Sequence, residues 1–198
     1  MILPNQLTVL RIILSPIFLF CFLSDIVWLK QASVIVYIIA ALSDWYDGWL
    51  ARKFNYISSW GKFWDPLADK ILTSSAFIGF AIAQLIPWWM VIIIVGRDVV
   101  ITLLRVFADL KNYPFTTSYY AKWKTLLQMI FLYYLLLLFV AKNTPFIHNI
   151  YSELISLLLN AQLVYFISLV ITLITFHSGY LYIKRNWKII LKLLKIED

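Results

Sequence analysis

Four aspartates lie close together in the first half of the chain, and their spacing could support metal-dependent chemistry. Asp44 and Asp47 are three residues apart, and Asp65 and Asp69 are four residues apart. Residues at these spacings share one face of a helix, so each pair would direct its carboxylates the same way. Clustered carboxylates repel one another in a low dielectric unless they bind cations or protons. Oxygen-only ligands suit Mg²⁺, Mn²⁺ or Ca²⁺, and two such ions would suit in-line phosphoryl chemistry.

A structural explanation of the same aspartates is that they cap helix ends or form ion pairs with Arg52 and Lys70. An Asp at the centre of a membrane span costs about 2.5–3.5 kcal/mol, so four together favour a functional role. Gly48 follows the first acid by one turn, and Ala51 follows the second. Small residues there would leave the acidic face open to a ligand, although close helix packing is the alternative reason for them.

The composition of the chain indicates a membrane protein. Hydrophobic residues make up 63% of the 198 residues and charged residues 14%, against roughly 45–50% and about 25% in soluble domains. A fold of this size has no interior large enough to hide that much apolar surface. The net charge of +7 therefore favours anionic lipid head groups rather than nucleic acid as the partner.

Six apolar segments predict an all-α integral membrane protein with six transmembrane helices, in one domain over residues 1–198. The predicted spans are 7–23, 26–52, 61–85, 88–110, 120–141 and 151–183. Lys and Arg collect on the side that holds both termini, so this side should face the cytoplasm, with the cell inner membrane as the expected location. Basic and apolar residues alternate over 184–196, which fits either a helix at the membrane surface or a basic stop after the last span.

The acidic segment as a whole has a recognisable pattern. It reads Asp44-x2-Asp47-Gly48-x2-Ala51-Arg52-x8-Gly61-x3-Asp65-x3-Asp69. This pattern resembles the signature of the CDP-alcohol phosphotransferase family at every fixed position, and the six-span layout resembles the family over the whole chain.

The resemblance implies a metal-dependent transferase with two divalent ions, Mg²⁺ or Mn²⁺. The four aspartates would hold the ions, and Asp69 would also be the catalytic base that takes the proton of the attacking hydroxyl. The lipid donor would be CDP-diacylglycerol, CMP would leave, and the protein would be a homodimer. The residues implied in nucleotide binding are Asn5, Thr8, Gly48, Ala51, Arg52, Ser58 and Gly61.

Two later segments bear on the acceptor alcohol. Gly96-Arg97-Asp98 with Arg105, and Lys122-x-Lys124 at the start of the fifth span, resemble members that use glycerol 3-phosphate. Arg97, Arg105, Lys122 and Lys124 would then bind the dianionic acceptor phosphate. The alternatives are that Arg97 only pairs with Asp98, and that the lysines are ordinary cytoplasmic charges. The Arg-Asp pair also resembles the cardiolipin synthases, which use phosphatidylglycerol.

Two other classes of protein would place acids in a membrane. A transporter would usually show two related halves, and the sequence contains no internal repeat. An inactive structural homologue would be expected to lack at least one of the four aspartates. Release of CMP from CDP-diacylglycerol would distinguish an enzyme from both.

Overall fold

Helices form all the regular secondary structure in the part of the chain that the structure describes. The computed structural model describes residues 3–54, 59–111, 113 and 119–193, without the side chains of 3–5, 45, 47, 48, 50–52, 54, 59, 60, 62 and 193. The helices are α1 (Leu3–Leu23), α2 (Val27–Phe54), α3 (Ser59–Ile82), α4 (Trp88–Leu110), α5 (Tyr119–Lys142), α6 (Pro145–Leu158) and α7 (Ala161–Leu193). The predicted all-α class is confirmed.

Four helices within the described ranges are long and apolar enough to cross a membrane. They are Gln6–Leu23, Val27–Asp44, Tyr119–Lys142 and Ala161–Lys192. Helices α3 and α4 have 24 and 23 residues, which is also sufficient length, but no 18-residue stretch of either has fewer than three charged side chains. The membrane class is therefore supported, whereas the predicted number of six spans is not confirmed.

Around its apolar core, the bundle exposes many large apolar side chains and buries several charged ones. Phe20 and Ile92 are 71% and 66% exposed, while Arg11 and Lys124 are 0% and 1% exposed. Large apolar side chains on the outer surface suit contact with lipid, and charged side chains in the interior need partners there. The buried charged side chains therefore indicate where a functional site should be sought.

Aromatic side chains join the helices that carry the acidic motif to the rest of the bundle. The Phe22 ring lies 5.7 Å from Phe18, 5.6 Å from Phe80 and 4.8 Å from Phe139, measured between centroids. These contacts connect α1 with α3 and α5. Helix α1 also packs along α2, α4 contacts α3 and α7, and α5 contacts α6 and α7.

The last predicted span, 151–183, is divided into two helices, so this prediction was wrong. Helix α6 ends at Leu158 and α7 begins at Ala161. The side-chain oxygen of Asn160 accepts hydrogen bonds from the backbone N–H groups of Gln162 at 2.9 Å and Leu163 at 3.3 Å. Asn160 is therefore the N-cap of α7 and separates it from α6.

Helix α7 continues without a break past Lys184 to Leu193. Within the described residues, no separate helix begins in the basic segment 184–196, and its last three residues lie outside the description. The location of this segment at the membrane surface stays a prediction.

Candidate active site

Three helices bring polar side chains to the acidic motif. Helix α1 packs against both α2 and α3, and two of its side chains contact the acids. Thr8 Oγ1 donates a 2.5 Å hydrogen bond to Asp65 Oδ1, and Arg11 forms an ion pair with Asp44. Asp44 also lies within electrostatic range of Asp65 and Asp69. The acids of α2 and α3 are therefore neighbours, as the sequence predicted for these three.

Asp69 forms the ion pair that the structural explanation of the motif anticipated. Lys70 Nζ lies 3.2 Å from Asp69 Oδ2, and the two side chains belong to consecutive residues of α3. The carboxylates nevertheless remain accessible, since the side chains of Asp44 and Asp69 are 48% and 37% exposed. Asp44 and Asp69 therefore remain within reach of a ligand despite their basic neighbours.

The described carboxylates are suitable ligands for a divalent cation, but they do not by themselves form a complete set of ligands. Each of the contacts given above involves one carboxylate oxygen of Asp44, Asp65 or Asp69. Carboxylate oxygens are the ligands that Mg²⁺ and Mn²⁺ prefer, and each of these aspartates has a second one. No group of three His, Cys, Asp or Glu is arranged as a metal site among the residues with described side chains. The side chain of Asp47, the fourth predicted ligand, lies outside that set.

Two of the residues predicted to bind the nucleotide are described. Thr8 is buried and contacts Asp65, and Gly61 is buried in the first turn of α3 rather than in a turn before it. Ser58 lies outside the described residues. For the other four residues the structure describes the backbone but not the side chain. Those four are Asn5, Gly48, Ala51 and Arg52.

A cleft with four cationic side chains lies between α4 and α5. It has a volume of about 540 Å³, and Lys70, Arg97, Arg105 and Lys122 are among the residues that line it. This feature is called the basic cleft below. Because Lys70 contacts both the cleft and Asp69, the cleft adjoins the acidic motif. Three of the four residues predicted to bind an acceptor phosphate therefore meet here.

The guanidinium of Arg97 is held by two neighbours. Its Nη1 atom lies 3.0 Å from Asp98 Oδ1, and its Nη2 atom donates a 2.9 Å hydrogen bond to Ser178 Oγ. In the described part of the chain, the Nε atoms of Arg97 and Arg105 are buried without a hydrogen-bond partner. The predicted Arg97–Asp98 pair is therefore present, and Arg97 and Arg105 both still line the basic cleft.

Lys124 does not line the basic cleft, in contrast to the prediction that it binds the acceptor phosphate with Lys122. Its side chain is 1% exposed, and its Nζ atom lies 2.5 Å from Asp98 Oδ1. Two residues along a helix correspond to about 200° of rotation, so Lys122 and Lys124 face opposite directions from α5.

The sequence model of the family described as CDP-alcohol phosphatidyltransferase matches residues 1–174 of this chain. The chain belongs to this family. The resemblance of the acidic motif to the family signature is thereby confirmed, and the protein is a transferase. Members of the family generally depend on a divalent metal.

Relatives within the family extend over most of the chain. A CDP-diacylglycerol–glycerol-3-phosphate 3-phosphatidyltransferase of Bacillus subtilis is 35% identical over 198 residues, which covers 94% of this chain and 95% of the relative. Enzymes with the same name in Escherichia coli K12 and Salmonella typhimurium are 35% and 36% identical over 138 residues, covering 67% of this chain and 75% of each relative.

Two residues at this family's acidic motif were not predicted as site residues from the sequence. The sequence assigns no site role to Arg11, and its pairing with Asp44 depends on how α1 packs. The sequence predicts Lys70 only as a structural partner of the acids, yet it also lines the basic cleft. The functional roles of all the predicted site residues stay predictions.

Proposed function

We propose that this chain transfers the phosphatidyl group of CDP-diacylglycerol to glycerol 3-phosphate and releases CMP. The relatives in Bacillus subtilis and Escherichia coli are named for that reaction. The structural observation that supports the proposal most is the basic cleft next to the acidic motif. Four cationic side chains suit a small dianionic acceptor better than a neutral alcohol.

The proposed reaction begins when the phosphate of glycerol 3-phosphate binds in the basic cleft. Asp69 takes the proton from the acceptor hydroxyl as the hydroxyl oxygen forms a bond to the lipid-linked phosphorus. The bond between that phosphorus and the bridging oxygen breaks, and CMP leaves with the electron pair. The contact of Lys70 with Asp69 supports this route, because it joins the acceptor cleft to the proposed base.

Two divalent ions, Mg²⁺ or Mn²⁺, would be held by Asp44, Asp47, Asp65 and Asp69. Bound ions would offset the charge that develops on the diphosphate as CMP leaves. Thr8 would orient the carboxylate of Asp65 by its hydrogen bond, as residues behind metal ligands commonly do. The residues proposed to bind the nucleotide are Asn5, Thr8, Gly48, Ala51, Arg52, Ser58 and Gly61.

The proposed enzyme is a homodimer in the inner membrane, with six spans and the active site on the cytoplasmic side. Helices α3 and α4 would be the two further spans, since 23 and 24 residues extend about 35 Å and the hydrocarbon core is about 30 Å thick. Their charged side chains would face the polar interior of the bundle rather than lipid.

An acceptor panel tests the proposed function. The full chain is purified in detergent and supplied with CDP-diacylglycerol and Mg²⁺, and CMP release is measured with no acceptor, glycerol 3-phosphate or phosphatidylglycerol. We expect CMP release with glycerol 3-phosphate. Release only with phosphatidylglycerol would indicate a cardiolipin synthase instead, and no release with any acceptor would contradict the transferase mechanism.

A pair of variants tests whether the basic cleft binds the acceptor. Arg105→Gln removes a cation that lines the cleft, and Lys142→Gln removes an exposed cation at the opposite end of α5. A lost charged hydrogen bond is worth about 1.5–3 kcal/mol, so Arg105→Gln should raise the KM for glycerol 3-phosphate about tenfold or more. Equal KM values for Arg105→Gln and Lys142→Gln would contradict this assignment.

A further inference from the structure

The carboxylate of Asp98 is buried behind the wall of the basic cleft and contacts four polar side chains. Asp98 is 3% exposed and does not itself line the cleft. Its Oδ1 atom lies 2.5 Å from Lys124 Nζ and 3.0 Å from Arg97 Nη1. Its Oδ2 atom lies 3.2 Å from Gln128 Nε2 and 3.9 Å from Lys70 Nζ. Three helices, α3, α4 and α5, therefore meet at one carboxylate.

The four partners of Asp98 divide into two kinds. Arg97 and Lys70 extend from the carboxylate to the basic cleft and line it. Lys124 and Gln128 are 1% and 3% exposed and do not line the cleft. Asp98 thus contacts two cations that can reach a ligand, while a third cation compensates its charge from the interior.

We propose that Asp98 is a positioning residue for the acceptor: it holds Arg97 and Lys70 in the orientation that binds the acceptor's anionic group, and Lys124 balances its charge. This inference rests on the proposed function, because it takes the basic cleft to be the acceptor site. It assigns to Lys124 a role different from the phosphate contact predicted from the sequence.

Preorganisation is the physical reason for such a residue. Arg and Lys side chains each carry about 2 kcal/mol of rotamer entropy, which binding would otherwise have to overcome. Arg97 is held at one side by Asp98 and at another by Ser178 Oγ, so its guanidinium is fixed before the ligand arrives. Groups fixed in advance bind more tightly because less conformational entropy is lost on binding.

The carboxylate of Asp98 would also determine the position of Lys70, which lies between the basic cleft and the proposed base Asp69. The ammonium of Lys70 lies 3.2 Å from Asp69 Oδ2 and 3.9 Å from Asp98 Oδ2, so it bridges the two acids. Without the charge of Asp98, Lys70 would be drawn towards Asp69 and away from the cleft wall. Loss of Asp98 should therefore weaken acceptor binding more than it affects binding of the lipid donor.

The test compares four variants of the full chain in detergent: Asp98→Asn, Asp98→Glu, the double variant Asp98→Asn/Lys124→Met, and Asp25→Asn. Asp25 is an exposed acid between α1 and α2 and serves as the charge-matched control. The KM for the acceptor, the KM for CDP-diacylglycerol and kcat are measured for each. The double variant is included because Asp98→Asn alone leaves Lys124 buried without its closest counter-charge, which can prevent folding.

We expect Asp98→Asn to raise the acceptor KM about tenfold or more, with the KM for CDP-diacylglycerol changed less than about twofold. Asp98→Glu should recover most of the acceptor affinity, because the charge is retained. The double variant should keep the raised acceptor KM. A wild-type acceptor KM in the double variant would overturn the proposal, since Asp98 would then serve only to neutralise Lys124.

Two further outcomes are decisive. An equal rise in both KM values would show that Asp98 supports the fold in general, and would also overturn the proposal. If the wild-type protein uses phosphatidylglycerol and not glycerol 3-phosphate, the proposed function fails. The ratio of acceptor KM values between variant and wild type, measured with phosphatidylglycerol, then still tests the role of Asp98.

Discussion

Gly179 provides a direct way to displace Arg97 without changing any charged residue. A Cβ atom added at Gly179 would lie 2.9 Å from Arg97 Cγ, whereas ordinary contacts begin at 3.4 Å. Cγ lies near the base of the arginine side chain, so the whole guanidinium must move with it. The substitution Gly179→Ala should therefore shift Arg97 by about 0.5 Å or more, from the difference between these two distances.

The expected loss of affinity follows from the hydrogen bonds of the guanidinium. Arg97 Nη2 lies 2.9 Å from Ser178 Oγ, and a shift of about 0.5 Å takes this distance beyond the usual range for hydrogen bonds. The same shift would misplace the guanidinium for its contact with the acceptor phosphate, and a hydrogen bond that involves a charged group contributes about 1.5–3 kcal/mol. We expect Gly179→Ala to raise the KM for glycerol 3-phosphate about tenfold, the lower end of that range.

Gly96 offers a matched control for this experiment. It precedes Arg97 in α4, and a Cβ atom added there meets no heavy atom within 4 Å. Gly96→Ala adds the same methyl group in open space, and the better helix propensity of alanine is worth up to about 1 kcal/mol. The assay is CMP release at saturating CDP-diacylglycerol with varied glycerol 3-phosphate, combined with thermal unfolding of both variants in detergent.

The two alanine variants should differ in acceptor KM and agree in the KM for CDP-diacylglycerol. If Gly179→Ala and Gly96→Ala had acceptor KM values equal to the wild type, the position of Arg97 would have no bearing on acceptor binding. If Gly179→Ala raised both KM values together, the methyl group would be disturbing the bundle rather than Arg97 alone.

Variants at three further positions test other parts of the structure. Asp69→Asn should lower kcat by about 10²–10⁴-fold, the usual contribution of a general base, and a variant with full turnover would rule out this role. Thr8→Val should raise the Mg²⁺ concentration for half-maximal activity about tenfold, because the bond to Asp65 is lost, while Thr8→Ser keeps it. Asn160→Ala should lower the stability by about 1 kcal/mol through loss of the α7 cap, measured by thermal unfolding, and an unchanged unfolding midpoint would be evidence against the cap.

The shared orientation of the acids in each pair could be predicted from the sequence because it depends on local spacing, whereas their roles in metal binding stay predictions. Acids three or four residues apart share a helix face whatever the rest of the bundle does. The family followed from the same segment, and the match over residues 1–174 confirmed it. The class of protein was equally predictable, since its apolar composition requires lipid as solvent.

The break between α6 and α7 illustrates a local signal within an apolar segment. The residues around Asn160 are largely apolar, so the sequence predicts one continuous span there. The Asn160 side chain caps the backbone N–H groups of Gln162 and Leu163, which only the structure reveals. A polar N-cap residue was the one signal that could have located this boundary.

Contacts between helices were decided only by the tertiary structure. Lys122 and Lys124 are both lysines and lie two positions apart in the sequence. Lys122 lines the basic cleft, whereas Lys124 is buried and forms an ion pair with Asp98. Arg11 likewise reaches Asp44 because α1 packs along α2. The sequence by itself determined which charges the chain carries and how they repeat along each helix. The rotation and packing of the helices determined which charges meet, because a buried charge is stable only where another helix supplies its partner.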